Sequence, residues 1–157
     1  MKKINFLKKV KKEGKIALID PSEEIKQSYI EKSESNLISA KILLDSNRLE
    51  ESVGLAYYSM YHLLAALLFK IGIKSENHSA SIILLKELFN LENKDIFQAK
   101  TERIDKQYYV GFKITKEEVL DTIKKAEIFN GKIIDFISKV NNKDIEDYRG
   151  KFQKIFE

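Results

Sequence analysis

Seventeen consecutive residues without a formal charge, Val53 to Phe69 (VGLAYYSMYHLLAALLF), constrain this chain more than any other stretch. As a helix they extend about 25 Å, the low end of what crosses a bilayer. Tyr57, Tyr58, Ser59, Tyr61 and His62 lie inside the run, and in lipid their polar groups would need partners. A helix apolar nearly all round is also what the centre of a soluble bundle requires. The flanking sequence is rich in lysine, so the reading is a buried central helix and no membrane partner.

The rest of the chain is proportioned to surround such a helix. It has 157 residues, 43% hydrophobic and 33% charged, enough for one domain with a core. One proline, Pro21, and six glycines leave room for long helices. Cysteine is absent, which excludes disulfides, thiolate metal sites and cysteine nucleophiles. That absence fits a reducing cytoplasm. The net charge of +4 and pI of about 9.0 permit a polyanionic partner without requiring one.

Five helical segments follow from capping signals and periodicity. Asp20-Pro21-Ser22-Glu23 reads as a start, with Asp20 capping and Pro21 in the first turn. That helix runs to about Asp45, with Ile25, Tyr29, Leu37, Ala40 and Leu44 on one face and Ser33 diluting it. Ser46-Asn47-Arg48 makes a turn. The central helix spans about Glu50 to Lys70, and Gly72 stands where a left-handed C-cap belongs. Ser75-Glu76-Asn77 is a loop and cap before a helix from about His78 to Asn90. Asn93 opens a polar helix to about Tyr108, with Phe97, Ile104 and Tyr108 as its apolar positions. Thr115-Lys116-Glu117-Glu118 is a capping box. After it, Val119, Ile123, Ala126, Asn130, Ile133, Ile137 and Val140 step alternately by four and three, a bundle seam with one asparagine set in it. No strand-like alternation and no hairpin signal appears.

The expected fold is therefore all-α: an up-and-down antiparallel bundle of four to five helices. It occupies residues 20–140. A basic segment, 1–19, precedes it, with seven lysines in MKKINFLKKVKKEGK and a short amphipathic helix ending near Gly14. A charged extension, 141–157, follows, with Ile145, Tyr148, Phe152, Ile155 and Phe156 spaced for one more short helix.

Chemistry-bearing residues are few. No glycine-rich phosphate loop, HExxH or GxSxG occurs. The two histidines, His62 and His78, stand sixteen residues apart with no carboxylate at ligand spacing, so neither a metal nor a cofactor is expected. His62 reads as a core histidine with one hydrogen bond, and His78 as part of a helix cap. Arg103 is one of three arginines, with Arg48 and Arg149, in a chain that otherwise uses lysine. Its planar fork matches phosphate in a way lysine does not. Tyr108 and Tyr109 follow it closely. Five residues turn a helix by about 140°, so Arg103 and Tyr108 do not share a face, and Gln107 is the same-face neighbour. Spacing alone makes Arg103 a solvated surface residue.

Ala56, Tyr57 and Tyr58 inside the apolar helix, Gly72 ending it and His78 opening the next resemble the HEPN family of small helical proteins of prokaryotes. The leader EGKIALIDPSEE and the closing helix from Thr115 are similar too, so the resemblance spans roughly Gly14 to Val140. It implies a helical bundle that forms a homodimer. Many such proteins are metal-independent ribonucleases, or stand beside a minimal nucleotidyltransferase in toxin–antitoxin pairs. Their signature is an arginine and a histidine separated by four to six residues. Arg103 falls at the arginine, whereas Tyr108 and Tyr109 stand where the histidine would be. A phenol with a pKa of about 10 replaces imidazole poorly as an acid or base near neutrality.

Three functions remain open on this sequence. In the first, the protein binds RNA or a nucleotide through Arg103, Tyr108, Tyr109 and His78, is paired with a nucleotidyltransferase, and cleaves little or nothing. In the second, it is a ribonuclease in which Tyr108 or His78 acts with Arg103. In the third, it is a dimeric interaction module whose arginine makes an ion pair, for example with Asp105 of the partner subunit.

Overall fold

The computed structural model describes residues 1–108 and 113–157; of residues 105–108 only the backbone is described. Seven helices are present among the described residues: α1 (Lys2–Lys12), α2 (Glu23–Asp45), α3 (Leu49–Ile71), α4 (His78–Glu87), α5 (Lys94–Tyr108), α6 (Lys116–Lys139) and α7 (Asn142–Ile155). The bundle is all-α in class, as expected. The terminal segments contribute α1 and α7 to the count beyond four or five.

The uncharged run forms α3, which lies at the centre and packs against α2, α4, α5, α6 and α7. By length and composition it is the one described helix apolar enough to cross a membrane, yet 72% of its apolar window is buried inside the bundle. Tyr57, Met60, Leu63, Leu64 and Leu67 are fully buried, and each aliphatic side chain contributes about 2 kcal/mol by leaving water. The helix ends where Gly72 takes φ +87°, in the left-handed region.

The predicted α6 seam is buried throughout, from Val119 to Val140. Its asparagine is explained by a polar knot in the core. Ser33 and Ser59 exchange hydrogen bonds between α2 and α3: Ser33 Oγ donates to the Ser59 carbonyl at 2.6 Å, and Ser59 Oγ to the Ser33 carbonyl at 2.8 Å. Asn130 Nδ2 donates to Ser59 Oγ at 2.9 Å. Ser33 thus does not dilute the buried face of α2; it fixes the register of three helices.

Other details differ from the sequence reading. Ser22, not Asp20, caps α2, with its Oγ accepting from Ile25 N at 3.1 Å, so Pro21 precedes the cap. Ile25 is exposed rather than internal. Phe97 is 60% exposed, and Ile96 and Ala99 form the buried face of α5 instead. A short antiparallel ribbon joins β1 (Ile16–Leu18) to β2 (Ile73–Ser75), pairing Ile16 with Ser75. Three residues per strand give no readable alternation, which is why the sequence does not announce it.

Both ends of the chain close on this ribbon and on the end of α3. Leu7 and Val10 of α1 and Phe152 of α7 are buried in the main core cluster. Arg149 Nη1 donates to the carbonyls of Ile19 (2.7 Å), Ile71 (3.1 Å) and Gly72 (3.1 Å). One of the three arginines is therefore a clamp between the C-terminal end of α3 and the residue that follows β1.

Candidate functional site

The site is built on two stripes of α3. Tyr57 and Tyr61 are four residues apart and share one face; Tyr58 and His62 share the next. α4 and α5 lie over these stripes; α4 brings His78 and Ser81 to them, and α5 brings Arg103.

α4 brings His78, its first residue. Asn77 caps this helix, its Oδ1 accepting from Ala80 N at 2.9 Å. The histidine is therefore not the cap; its ring turns inward. The His78 ring stacks on Tyr61 with centroids 3.7 Å apart and planes 14° from parallel. Its Nδ1 lies 2.7 Å from the Tyr57 hydroxyl. Tyr61 is held in turn by Ser81, hydroxyl to hydroxyl at 3.2 Å.

α5 brings Arg103. Its guanidinium carbon lies 4.8 Å from the centre of the Tyr58 ring and 5.8 Å from that of Tyr57, cation–π distances on two adjacent rings. The side chain is half-buried, with Nε shielded from solvent. Arg103 is thus not the solvated surface residue that helix spacing implies, because spacing along α5 carries no information about what α3 places beneath it.

The electrostatics follow from this geometry. Burial lowers the pKa of His78 below the usual imidazole range, and the Arg103 and Lys100 charges push it the same way. Burial raises the pKa of Tyr57, which excludes it as an acid or base near neutrality. Since a phenol is the stronger donor and an imidazole nitrogen the stronger acceptor, Tyr57 donates to Nδ1, and His78 carries its own proton on Nε2. His62 has a separate environment. Its Nδ1 donates to Asn36 Oδ1 at 2.7 Å, and its ring stacks on Tyr58. Burial, with Lys32 and His78, drives its pKa down to about 4.

Of the site residues expected from the sequence, Arg103 and His78 converge on the same tyrosines. Tyr109 and the side chains of Tyr108, Gln107 and Asp105 lie outside the described residues. The sequence reading missed the roles of Tyr58 and Tyr61 as platforms and of Lys100 as a neighbouring charge. The i, i+4 spacing of Tyr57 with Tyr61 was the available signal. No cluster of three or more potential metal ligands occurs among the described residues.

The bundle of helices around α3 defines an all-α protein. The chain belongs to the HEPN domain family, whose model matches residues 27–138. A protein of the archaeon Methanocaldococcus jannaschii, described as a "putative toxin", is 33% identical over 121 residues, covering 73% of this chain and 89% of the relative. A UPF0332 protein of Archaeoglobus fulgidus is 28% identical over 116 residues, 70% of this chain and 93% of the relative. A UPF0332 protein of Pyrococcus horikoshii is 41% identical over a shorter stretch of 64 residues, 41% of this chain and 44% of the relative.

Proposed function

We propose that this HEPN-family protein binds RNA through Arg103, as the toxin-like member of a toxin–antitoxin pair whose other half is a minimal nucleotidyltransferase. The observation that carries this reading is the seating of Arg103 on the Tyr57 and Tyr58 rings beside His78. The rings restrain the guanidinium, so less rotamer freedom is lost when it meets a phosphate. His78 Nε2–H supplies a second donor, and Lys100 adds charge. The toxin-like role is carried over from the description of the Methanocaldococcus relative.

The protein acts as a cytoplasmic homodimer in this reading. Ile38 and Ile42 of α2 and Leu120, Ile128 and Ile134 of α6 are exposed. The Lys41–Glu127 pair at 3.4 Å joins the same two helices. An apolar face of this kind supports self-association.

A second reading, metal-independent cleavage, is favoured by the convergence of a histidine with Arg103. It requires the other His78 tautomer, with Tyr57 accepting and Nε2 free to take the 2′-hydroxyl proton. The two readings separate when labelled single-stranded RNA is incubated with the protein in chelator. Binding expects bound, intact RNA; fragments that disappear with His78→Ala would establish cleavage instead.

A further inference from the structure

A cleft of about 530 Å³ opens beside this site, between α1, α4 and α5. That is ample for one small-molecule-sized group. Its apolar wall is Ile82, Ile83 and Phe97, and Phe97 is 60% exposed. Phe97 is thus not an isolated surface residue: its ring faces a recess whose other apolar side chains, Ile82 and Ile83, come from α4. Lys3, Lys94 and Lys100 stand around the opening, against one carboxylate, Glu92.

The cleft is not isolated from Arg103. Lys100 lines it and also bears electrostatically on His78, and Ser79 of its wall is the residue after His78. An anion held by Arg103 therefore has a lysine-rimmed aromatic recess as its neighbour. The occupant that matches both features has a flat apolar group joined to phosphate at short spacing. An unpaired nucleotide has this form; a base inside a duplex has both faces covered and does not.

We propose that this cleft holds an unpaired base of single-stranded RNA, stacked on Phe97, next to the phosphate bound at Arg103. The inference rests on the RNA-binding reading above and names the substrate form that reading leaves open. Phe97 is the stacking platform. Lys3, Lys94 and Lys100 take the flanking phosphates, so the basic helix α1 contributes to the site through Lys3. Duplex RNA keeps the charge attraction and loses the stacking, which makes the protein selective for single strands.

The chain has no tryptophan, so Phe97→Trp installs a single fluorescent reporter in the cleft. Single-stranded RNA is expected to quench this tryptophan over the same concentration range in which anisotropy of labelled RNA reports binding. A duplex of the same length should bind at least roughly tenfold more weakly and leave the fluorescence unchanged. Phe97→Ala, at an exposed position that leaves the fold intact, should weaken single-strand binding roughly tenfold. Single-strand binding without quenching, with Phe97→Ala at full affinity, would overturn the cleft while leaving the Arg103 reading standing. Quenching that persists at unchanged affinity in Arg103→Ala would keep the cleft and remove Arg103. No binding by anisotropy and no quenching would overturn both.

Discussion

The Tyr57 hydroxyl lies 2.7 Å from His78 Nδ1, tying the middle of α3 to the first residue of α4. This contact decides which imidazole nitrogen carries the proton. It thereby decides whether the Arg103 site offers a donor or a base.

Tyr57→Phe removes that hydroxyl and keeps the ring under Arg103. A hydrogen bond to the neutral imidazole disfavours its charged form, so the pKa of His78 should rise in the variant. Stability should fall by about 1 kcal/mol. NMR titration of the imidazole C–H resonance checks the first and denaturant unfolding the second. A pKa that stays put or falls would show that Tyr57 does not donate to His78.

Both histidines have folded-state pKa values below their unfolded value, His62 at about 4. The unfolded chain therefore binds more protons below about pH 6.5, and stability rises with pH in that window. As pH falls from about 6.5 towards 4, the melting temperature should drop, with His62 contributing across the whole range. Above pH 7 the two histidines add no slope. His62→Gln should flatten the acid limb; an unaltered limb would contradict the buried neutral histidine.

Gly72→Ala is expected to be severe. The backbone is in the left-handed region at φ +87°, and an added Cβ would collide with Arg149 Nη1 and the Ile19 carbonyl oxygen and lie 2.9 Å from Pro21 N. Strain and displacement of the Arg149 clamp should together cost about 3 kcal/mol. Gly131→Ala, in open space on α6, should be neutral or slightly stabilising. Equal melting temperatures for the two variants would refute this account of the α3 terminus.

Ser59→Ala leaves the Ser33 carbonyl and the Asn130 amide without the partner they share, both in the core. The expected loss is about 2 kcal/mol, larger than removal of a surface serine. A cost near zero by chemical denaturation would mean that the α2–α3–α6 register does not depend on this knot.

Sequence periodicity made the bundle legible because its signals are local. The charge-free run marks α3, Gly72 its end, and Thr115 the start of a seam whose positions are all buried. Capping was readable to within two residues at α2, since Asp20 and Ser22 are both good caps and the long-range bond from Ser22 N to the Phe69 carbonyl is not visible in the local sequence. The site was legible as a list and not as an arrangement. Arg103 and His78 are twenty-five residues apart on different helices, and what unites them is the pair of stripes on α3. Helix spacing placed Arg103 correctly on α5 and could not see the rings it lies on. Phe97 misled for the related reason that apolar residues on a helix are ordinarily read as core, whereas this one borders a cleft.

Arg103 carries the proposed RNA contact, and its most direct test is the affinity of labelled single-stranded RNA for the protein, Arg103→Lys and Arg103→Ala at one fixed salt concentration. Circular dichroism melting of each variant separates lost binding from lost fold. We expect Arg103→Ala to weaken binding by roughly ten- to a hundredfold, the range of a charge-assisted phosphate contact, and Arg103→Lys to recover only part of it. Folded Arg103→Ala that binds RNA as tightly as the unaltered protein would show that Arg103 is not the RNA contact.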